Sequence, residues 1–313
     1  MRFGASVWPW RWDAPYAKAI ERIGDAGFRA TELIAWNRAA IDEYYTPETI
    51  KLLRSVLDEK GMKLSQFVVA NRGAASDDAA IKNSAVEFFK RGADLAAALG
   101  SPIINTVTHY PFEIRIPVIT DRPHMQTFSQ AMPSNLDWNR NWHEYVQTIR
   151  GCADYAQSLG LKYSLEPHPF RYGANIEGLL RLLEAVNSPA LGVNLDPSHL
   201  FPVCDLPHVA IYRLAPHVLH CHFSDNDGVT NVHWRPGKGK IDWRHVFQAL
   251  KDTGFSGVVS LEFEDVPGVS RGVESVAGVY EGNMNATPEF ECEYKLALAY
   301  LTGLAREVQL PLE

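Results

Sequence analysis

The sequence predicts an α/β protein built as one (β/α)8 barrel of the TIM type. Along the chain an amphipathic helix, a Gly or similar breaker and a short apolar strand recur in turn. Strict alternation of this kind implies a parallel sheet covered by helices. With the N-terminal run included, the pattern gives eight strands and eight helices, a number that favours a closed barrel over a doubly wound sheet. No Gly-x-Gly-x-x-Gly follows the first strand, so the fingerprint of the dinucleotide-binding doubly wound folds is missing.

The first strand is Arg2-Phe-Gly-Ala-Ser-Val-Trp8. A helix over 16–26 leads through Gly27-Phe28 to the second, Ala30-Thr-Glu-Leu-Ile-Ala-Trp36. A helix over 47–60 leads through Gly61 to the third, Leu64-Ser-Gln-Phe-Val-Val-Ala70, and one over 77–99 leads through Gly100 to the fourth, Ile103-Ile-Asn-Thr-Val-Thr-His109. Helices over 138–159, 176–186, 206–214 and 243–253 precede strands five to eight, and a last helix over 289–305 closes the chain. Thr46 before Pro47 supplies a capping oxygen ahead of a first-turn proline. Asp242 before Trp243 is a second expected N-cap. Gly after most helices suits a left-handed C-terminal residue. The whole chain, 1–313, reads as one domain with two long excursions. Residues 110–137 follow strand four, and residues 267–287 follow strand eight. Both leave from C-terminal strand ends, where loops of this length serve as lids, binding loops or subunit contacts.

Composition narrows the function classes. With 46% hydrophobic residues over 313, the chain can bury a large core, and its net charge of −7 disfavours a nucleic-acid partner. The four cysteines, Cys152, Cys204, Cys221 and Cys292, have no CxxC spacing and read as reduced thiols of a cytoplasmic protein. No signal peptide and no membrane-spanning run are evident.

Four strand-like segments in the second half end on metal-type ligands. They are Tyr163-Ser-Leu-Glu166-Pro-His168, Gly192-Val-Asn-Leu-Asp196-Pro-Ser-His199, Leu219-His-Cys-His222-Phe-Ser-Asp225 and Val259-Ser-Leu-Glu262-Phe-Glu264. If these are neighbours in one barrel, Glu166, Asp196, His222 and Glu262 meet at its C-terminal mouth. Three carboxylates and one imidazole suit one hard or borderline divalent ion, Mn²⁺ first, with Mg²⁺, Co²⁺ or Zn²⁺ as alternatives. His168 falls two residues after Glu166, on the same side of its strand. His199, His109 and His233 are further candidates for contact with a ligand. His220 is expected in the barrel core, and Glu32, inside strand two, in a supporting role. Trp8, Trp10 and Trp12 cluster after strand one and Trp36 ends strand two, where aromatic faces could stack on a ring.

With ligands and rhythm in place, the chain resembles the xylose-isomerase-like TIM barrel superfamily of sugar isomerases and epimerases, inosose dehydratases and endonuclease IV-type repair enzymes. The resemblance spans nearly the whole chain. It rests on Asp196-x-x-His199, His220-x-His222 with Asp225, Pro236-Gly-Lys-Gly239-Lys-Ile-Asp-Trp243 and Gly257-x-x-x-x-Glu262. In the ketose 3-epimerase branch, the residues matching Glu166, Asp196, His222 and Glu262 hold one divalent metal. The two glutamates there also move the proton, and the residue matching His199 contacts substrate. The resemblance thus implies a metal-dependent isomerase or epimerase acting on a small sugar or glycoside-derived substrate, with Glu166 and Glu262 catalytic. His199, His168, His109, Trp8, Trp36 and His233 are the expected substrate contacts.

Departures from the pattern matter. The epimerase branch has an arginine shortly after the metal histidine; here that stretch is Ser224-Asp-Asn-Asp-Gly228. A second glutamate past the strand-five ligand falls near Tyr172. The three-zinc nucleases need histidine after strand three and an Asp-x-His pair; here these are Ala70-Asn71 and Asn231-Val-His233. A lyase using the same enediolate chemistry, such as an inosose dehydratase or an enzyme cleaving 3-oxo-glycosides or C-glycosides, is the alternative. A non-catalytic binding subunit and an apurinic endonuclease stand further back. A homo-oligomer is expected, with a hetero-oligomer as the other option.

Overall fold

The computed structural model describes residues 1–111, 137–264, 266 and 286–313. Most of the two excursions after strands four and eight, with the apolar side chains of the first, lies outside the described residues. The strands are β1 Arg2–Ser6, β2 Ala30–Ala35, β3 Lys63–Val69, β4 Ile103–Val107, β5 Lys162–Glu166, β6 Leu191–Leu195, β7 Val218–Phe223 and β8 Val258–Leu261. They form one closed parallel barrel in sequence order. The ring shuts through β1 and β8, which pair from Arg2 opposite Val258 to Ala5 opposite Leu261. Every strand thus has two hydrogen-bonded neighbours and no edge is left open.

The helices are α1 Ala17–Asp25, α2 Pro47–Glu59, α3 Ala79–Leu99, α4 Trp138–Ser158, α5 Ile176–Val186, α6 Pro197–Leu200, α7 Pro207–Leu214, α8 Trp243–Asp252 and α9 Pro288–Glu307. The expected caps form: the Thr46 side chain accepts from Thr49 N–H and the Asp242 side chain from His245 N–H. Gly27, Gly61, Gly100, Gly160 and Gly254 follow helices with positive φ, as the sequence predicts. Apolar helix faces pack on the strands; Phe89 of α3 meets Tyr163 of β5, and Phe247 of α8 meets Phe3 of β1 and Phe223 of β7.

Two details differ from the sequence reading. β1 and β4 stop at Ser6 and Val107, so Trp8 and His109 stand on loops just above the barrel. The one-turn helix α6 follows β6 directly, because Asp196 accepts from Ser198 N–H and Pro197 suits the first helical position.

The loop from β7 to α8 is tied into a knot by Asp225. Its carboxylate accepts from the N–H groups of Asn226, Gly237 and Ile241 and from the Trp243 indole, at 2.9–3.1 Å. Four donors on one buried carboxylate explain why this aspartate, the Pro236–Trp243 turn and Trp243 come together. Gly239 lies against this knot: a Cβ there would run into the Asn226 backbone and the Asp225 carboxylate. Gly239→Ala should therefore destabilise the fold by about 1–3 kcal/mol, the usual range for forced overpacking. The urea midpoint would read this; an unchanged midpoint would mean the loop shifts freely.

Candidate metal centre and binding cavity

The C-terminal ends of β5 to β8 bring Glu166, Asp196, His222 and Glu262 together. One ligand atom from each lies within 4.8 Å of the others. His222 is the hub. Its Nδ1 is 3.0 Å from Glu166 Oε1 and 2.6 Å from Glu262 Oε2. Its Nε2 is 2.8 Å from Glu32 Oε2. Glu32 is fully buried and is itself held, accepting from Ser6 Oγ at 3.0 Å and from Gln66 Nε2 at 2.6 Å. A carboxylate on one ring nitrogen fixes the imidazole and aims the other at the ion, the usual outer support of a metal-bound histidine.

The donor set fits a cation. Asp196 Oδ1 accepts from Ser198 N and Oγ at 2.7 Å, while its buried Oδ2 has no hydrogen-bond donor among the described residues. Glu262 Oε1 accepts from the Trp8 indole at 2.8 Å, while its buried Oε2 makes no hydrogen bond among the described residues and lies 2.6 Å from His222 Nδ1, an ion pair while that histidine is protonated. Buried anionic oxygens left without donors are costly unless a cation meets them. In both residues one oxygen is anchored by the protein and the other is turned to the centre.

Electrostatics carry the same message. Burial, followed by the neighbouring Glu262 charge, pushes the Asp196 carboxyl up to about 6 against the pull of His233 and His222. Burial opposes charge on His222, yet Glu32, Glu262 and Glu166 together hold it well above the usual histidine range. Both folded-state values thus lie above their unfolded ones. The metal-free protein is stabilised by these protons at low pH and loses that stability as pH rises through the folded values. A bound divalent ion replaces the protons. The rise in Tm on adding Mn²⁺, relative to a chelator control, should therefore be small near pH 5 and grow steadily above pH 6. A pH-independent increment would rule out Asp196 and His222 as ligands.

Beside the centre lies a cavity of about 670 Å³ among the described residues. It is lined by Glu166 and Glu262 and by Trp8, Trp36, His109, His168, His199 and His233, so the expected contact residues share one wall system. His199 donates from Nδ1 to Asn231 Oδ1 at 2.9 Å. Its Nε2 then faces Asp196 at 3.5 Å and Glu166 at 3.8 Å. His168 packs on His199 with ring centroids 3.6 Å apart. Burial first, then His199 and Arg171, hold His168 well below the ordinary value and therefore neutral. His233 Nδ1 lies 2.9 Å from Ser224 Oγ. His109 meets the cavity with both nitrogens engaged, Nε2 by Asn71 Oδ1 at 3.0 Å and Nδ1 by the Tyr145 hydroxyl at 3.1 Å. Burial and Arg171 lower it to about 3.

The tryptophans separate. Trp12 stacks on Trp36 at 4.1 Å, and Trp8 meets Trp36 edge-on at 6.3 Å, giving one aromatic wall. Trp10 does not join them; it is fully buried against Tyr294 of α9 at 4.9 Å. His220 is core, as expected, held by Asn194 Oδ1 at 2.9 Å and Ser65 Oγ at 3.2 Å.

A family profile described as xylose isomerase-like TIM barrel matches residues 20–281, well over half of the chain. The chain belongs to this xylose isomerase-like TIM barrel family. Among curated relatives, a D-psicose 3-epimerase of Agrobacterium fabrum is 26% identical over 265 residues, covering 82% of each protein. An uncharacterised protein of Methanocaldococcus jannaschii is 24% identical over 254 residues, 79% of each. Among solved structures, D-psicose 3-epimerase of Clostridium cellulolyticum H10 superposes with a TM-score of 0.73 at 20% identity, covering 97% of this chain and 99% of that one. The 3-keto-D-glucoside 4-epimerase of E. coli superposes at 0.70 and 15%, covering 97% and 99%. At these identities the superpositions establish the shared barrel. Within the xylose isomerase-like family, the four-residue centre of this chain occupies the mouth formed by β5 to β8.

Sequence reading missed Arg72 and Arg171, which line the same cavity. They stand on loops after β3 and β5, where no strand periodicity marks which side chains turn inward.

Proposed function

We propose that the protein is a divalent-metal-dependent sugar isomerase or epimerase, working in the cytoplasm on a small sugar or glycoside-derived substrate. The observation that carries this reading is the pair of buried oxygens on Asp196 and Glu262 that make no hydrogen bond among the described residues, clustered with His222 and Glu166 beside the cavity. The 3-epimerases among its relatives support it. Glu166, Asp196, His222 and Glu262 would hold the ion, with Mn²⁺ best suited to three carboxylates and one imidazole. Bound there, the ion would polarise a substrate carbonyl and stabilise the negative charge that develops as the adjacent C–H proton leaves.

Glu262 and Glu166 come from β8 and β5, which are not neighbours in the barrel. One glutamate takes the proton from the carbon beside the carbonyl and the other returns one. Return to the same carbon from the opposite face inverts it; return to the adjacent carbon exchanges aldose and ketose. Trp8, through its indole N–H, keeps Glu262 in one rotamer. His199, its tautomer fixed by Asn231, offers Nε2 to a substrate hydroxyl. His168 is a neutral partner beside it for a second oxygen.

The Trp8, Trp12 and Trp36 wall favours a second reading, elimination from a larger glycoside whose leaving group stacks there. The deciding experiment incubates metal-loaded and chelator-stripped protein in D₂O with ketoses, inososes and 3-oxo-glycosides, followed by NMR. Deuterium entering beside the carbonyl only in the metal-loaded sample is expected. A product lacking water or an aglycone transfers the assignment to the lyase. No exchange on any substrate would refute both. Light scattering of the same sample tests the expected homo-oligomer against pairing with a second subunit.

A further inference from the structure

We propose that the cavity wall formed by Asn71, Arg72, His109, Tyr110 and Arg171 is an anion subsite, so that the substrate is an acidic sugar carrying a carboxylate or phosphate. This rests on the reading of a sugar held at the metal centre. Two guanidinium groups reach the cavity on this side, Arg72 and Arg171. Neither forms an ion pair within 4.0 Å among the described residues.

Arg171 is fixed in place. It donates from Nη1 to the Thr108 carbonyl at 2.8 Å and lies 4.5 Å from the Tyr110 ring centroid. Among the described residues its buried Nε has no hydrogen-bond partner, nor has the amide Nδ2 of Asn71 on the same wall. Asn71 presents that amide because its Oδ1 is taken by His109 Nε2. Two donors on this wall, Arg171 Nε and Asn71 Nδ2, thus lack an acceptor among the described residues. Arg72, at the exposed rim, adds a second positive charge close enough to oppose that of Arg171. Two arginines facing one cavity repel each other and the buried Arg171 costs desolvation, against which Glu166 on the metal side attracts Arg171 without forming an ion pair within 4.0 Å among the described residues. An entering anion removes both penalties, and a guanidinium fork suits either carboxylate or phosphate. An uncharged sugar needs hydrogen bonds there but no compensating charge.

The test uses the metal-loaded full chain. Calorimetry with inorganic phosphate and with D-gluconate, against xylitol as the uncharged probe, should show salt-sensitive binding of at least one anion. The responding anion identifies the source as phosphate or carboxylate. Arg72→Gln, at an exposed position, and Arg171→Lys should each weaken that binding about tenfold or more, the effect of losing a hydrogen bond to a charged group. Anion binding that survives both changes resides on the metal and overturns the proposal. So does anion binding no tighter than that of xylitol.

A substrate arm separates this from the wider reading. The kcat/KM ratio of acidic to neutral ketoses in the D₂O exchange should fall in both variants, through KM. Exchange on neutral sugars with no acidic preference defeats the subsite alone. Arginine-dependent anion binding without exchange on any sugar defeats the isomerase reading and leaves the subsite standing.

Discussion

Glu262→Gln is expected to cut proton exchange by about 10²–10⁴-fold, the usual contribution of a positioned acid or base. The amide is a fair probe because it conserves the local contact: its Oε1 can still accept from the Trp8 indole, now 2.8 Å from Glu262 Oε1. What is lost is the charge on the oxygen that makes no hydrogen bond among the described residues and lies 2.6 Å from His222 Nδ1. That oxygen is both the proposed base and a proposed ligand, so metal content must be measured beside turnover. At saturating Mn²⁺, a variant that holds the ion but no longer exchanges the substrate proton has lost the base. Retained exchange would sink the two-glutamate mechanism.

The second large effect is expected from a residue outside the four-residue centre. Glu32→Gln should weaken metal binding about 10–100-fold, the usual effect of removing an outer partner of a metal-bound histidine. The reason is a conflict of donors. Glu32 accepts from Ser6 Oγ, Gln66 Nε2 and His222 Nε2 in a fully buried place. A glutamine there has one accepting oxygen and must turn its own N–H₂ group toward at least one of those donors. Burial would raise the Glu32 carboxyl, but His222 first and His220 next pull it down to about 2, so it is the ionised form that supports the imidazole. Calorimetric titration of Mn²⁺ reads the effect directly. An unchanged affinity would mean that His222 is oriented by Glu166 and Glu262 alone.

Much of this centre is legible in the sequence because βα alternation has a fixed geometric consequence. Once eight strands close in order, every strand end of one polarity lies at one mouth, and Glu166, Asp196, His222 and Glu262 must converge there. Glu32 was harder to read. It is one of a polar layer inside the barrel that includes Gln66, Asn105, Ser164 and Asn194. Alternation marks such residues as facing one side of each strand, but not which of them touch. Ser164 and Gln66 come from strands that are not neighbours and meet at 3.2 Å only across the barrel interior.

The tryptophans show the same limit. Trp8, Trp10 and Trp12 are two residues apart, yet Trp10 packs on α9, almost the whole chain away. β1 ends at Ser6, so strand parity no longer governs where these side chains point. Arg171 likewise follows β5 in a loop, where it is held by Thr108 and Tyr110 on the cavity wall.

Local periodicity and chain order are enough to impose the barrel, its closure and the convergence of the four candidate ligand residues. Folding in three dimensions sets which nitrogen of His222 faces the centre, which oxygens of Asp196 and Glu262 lack donors among the described residues, and that two arginines share the cavity. Those are contacts between strands and loops far apart in the chain, set by packing in three dimensions, and no periodicity along the sequence encodes them.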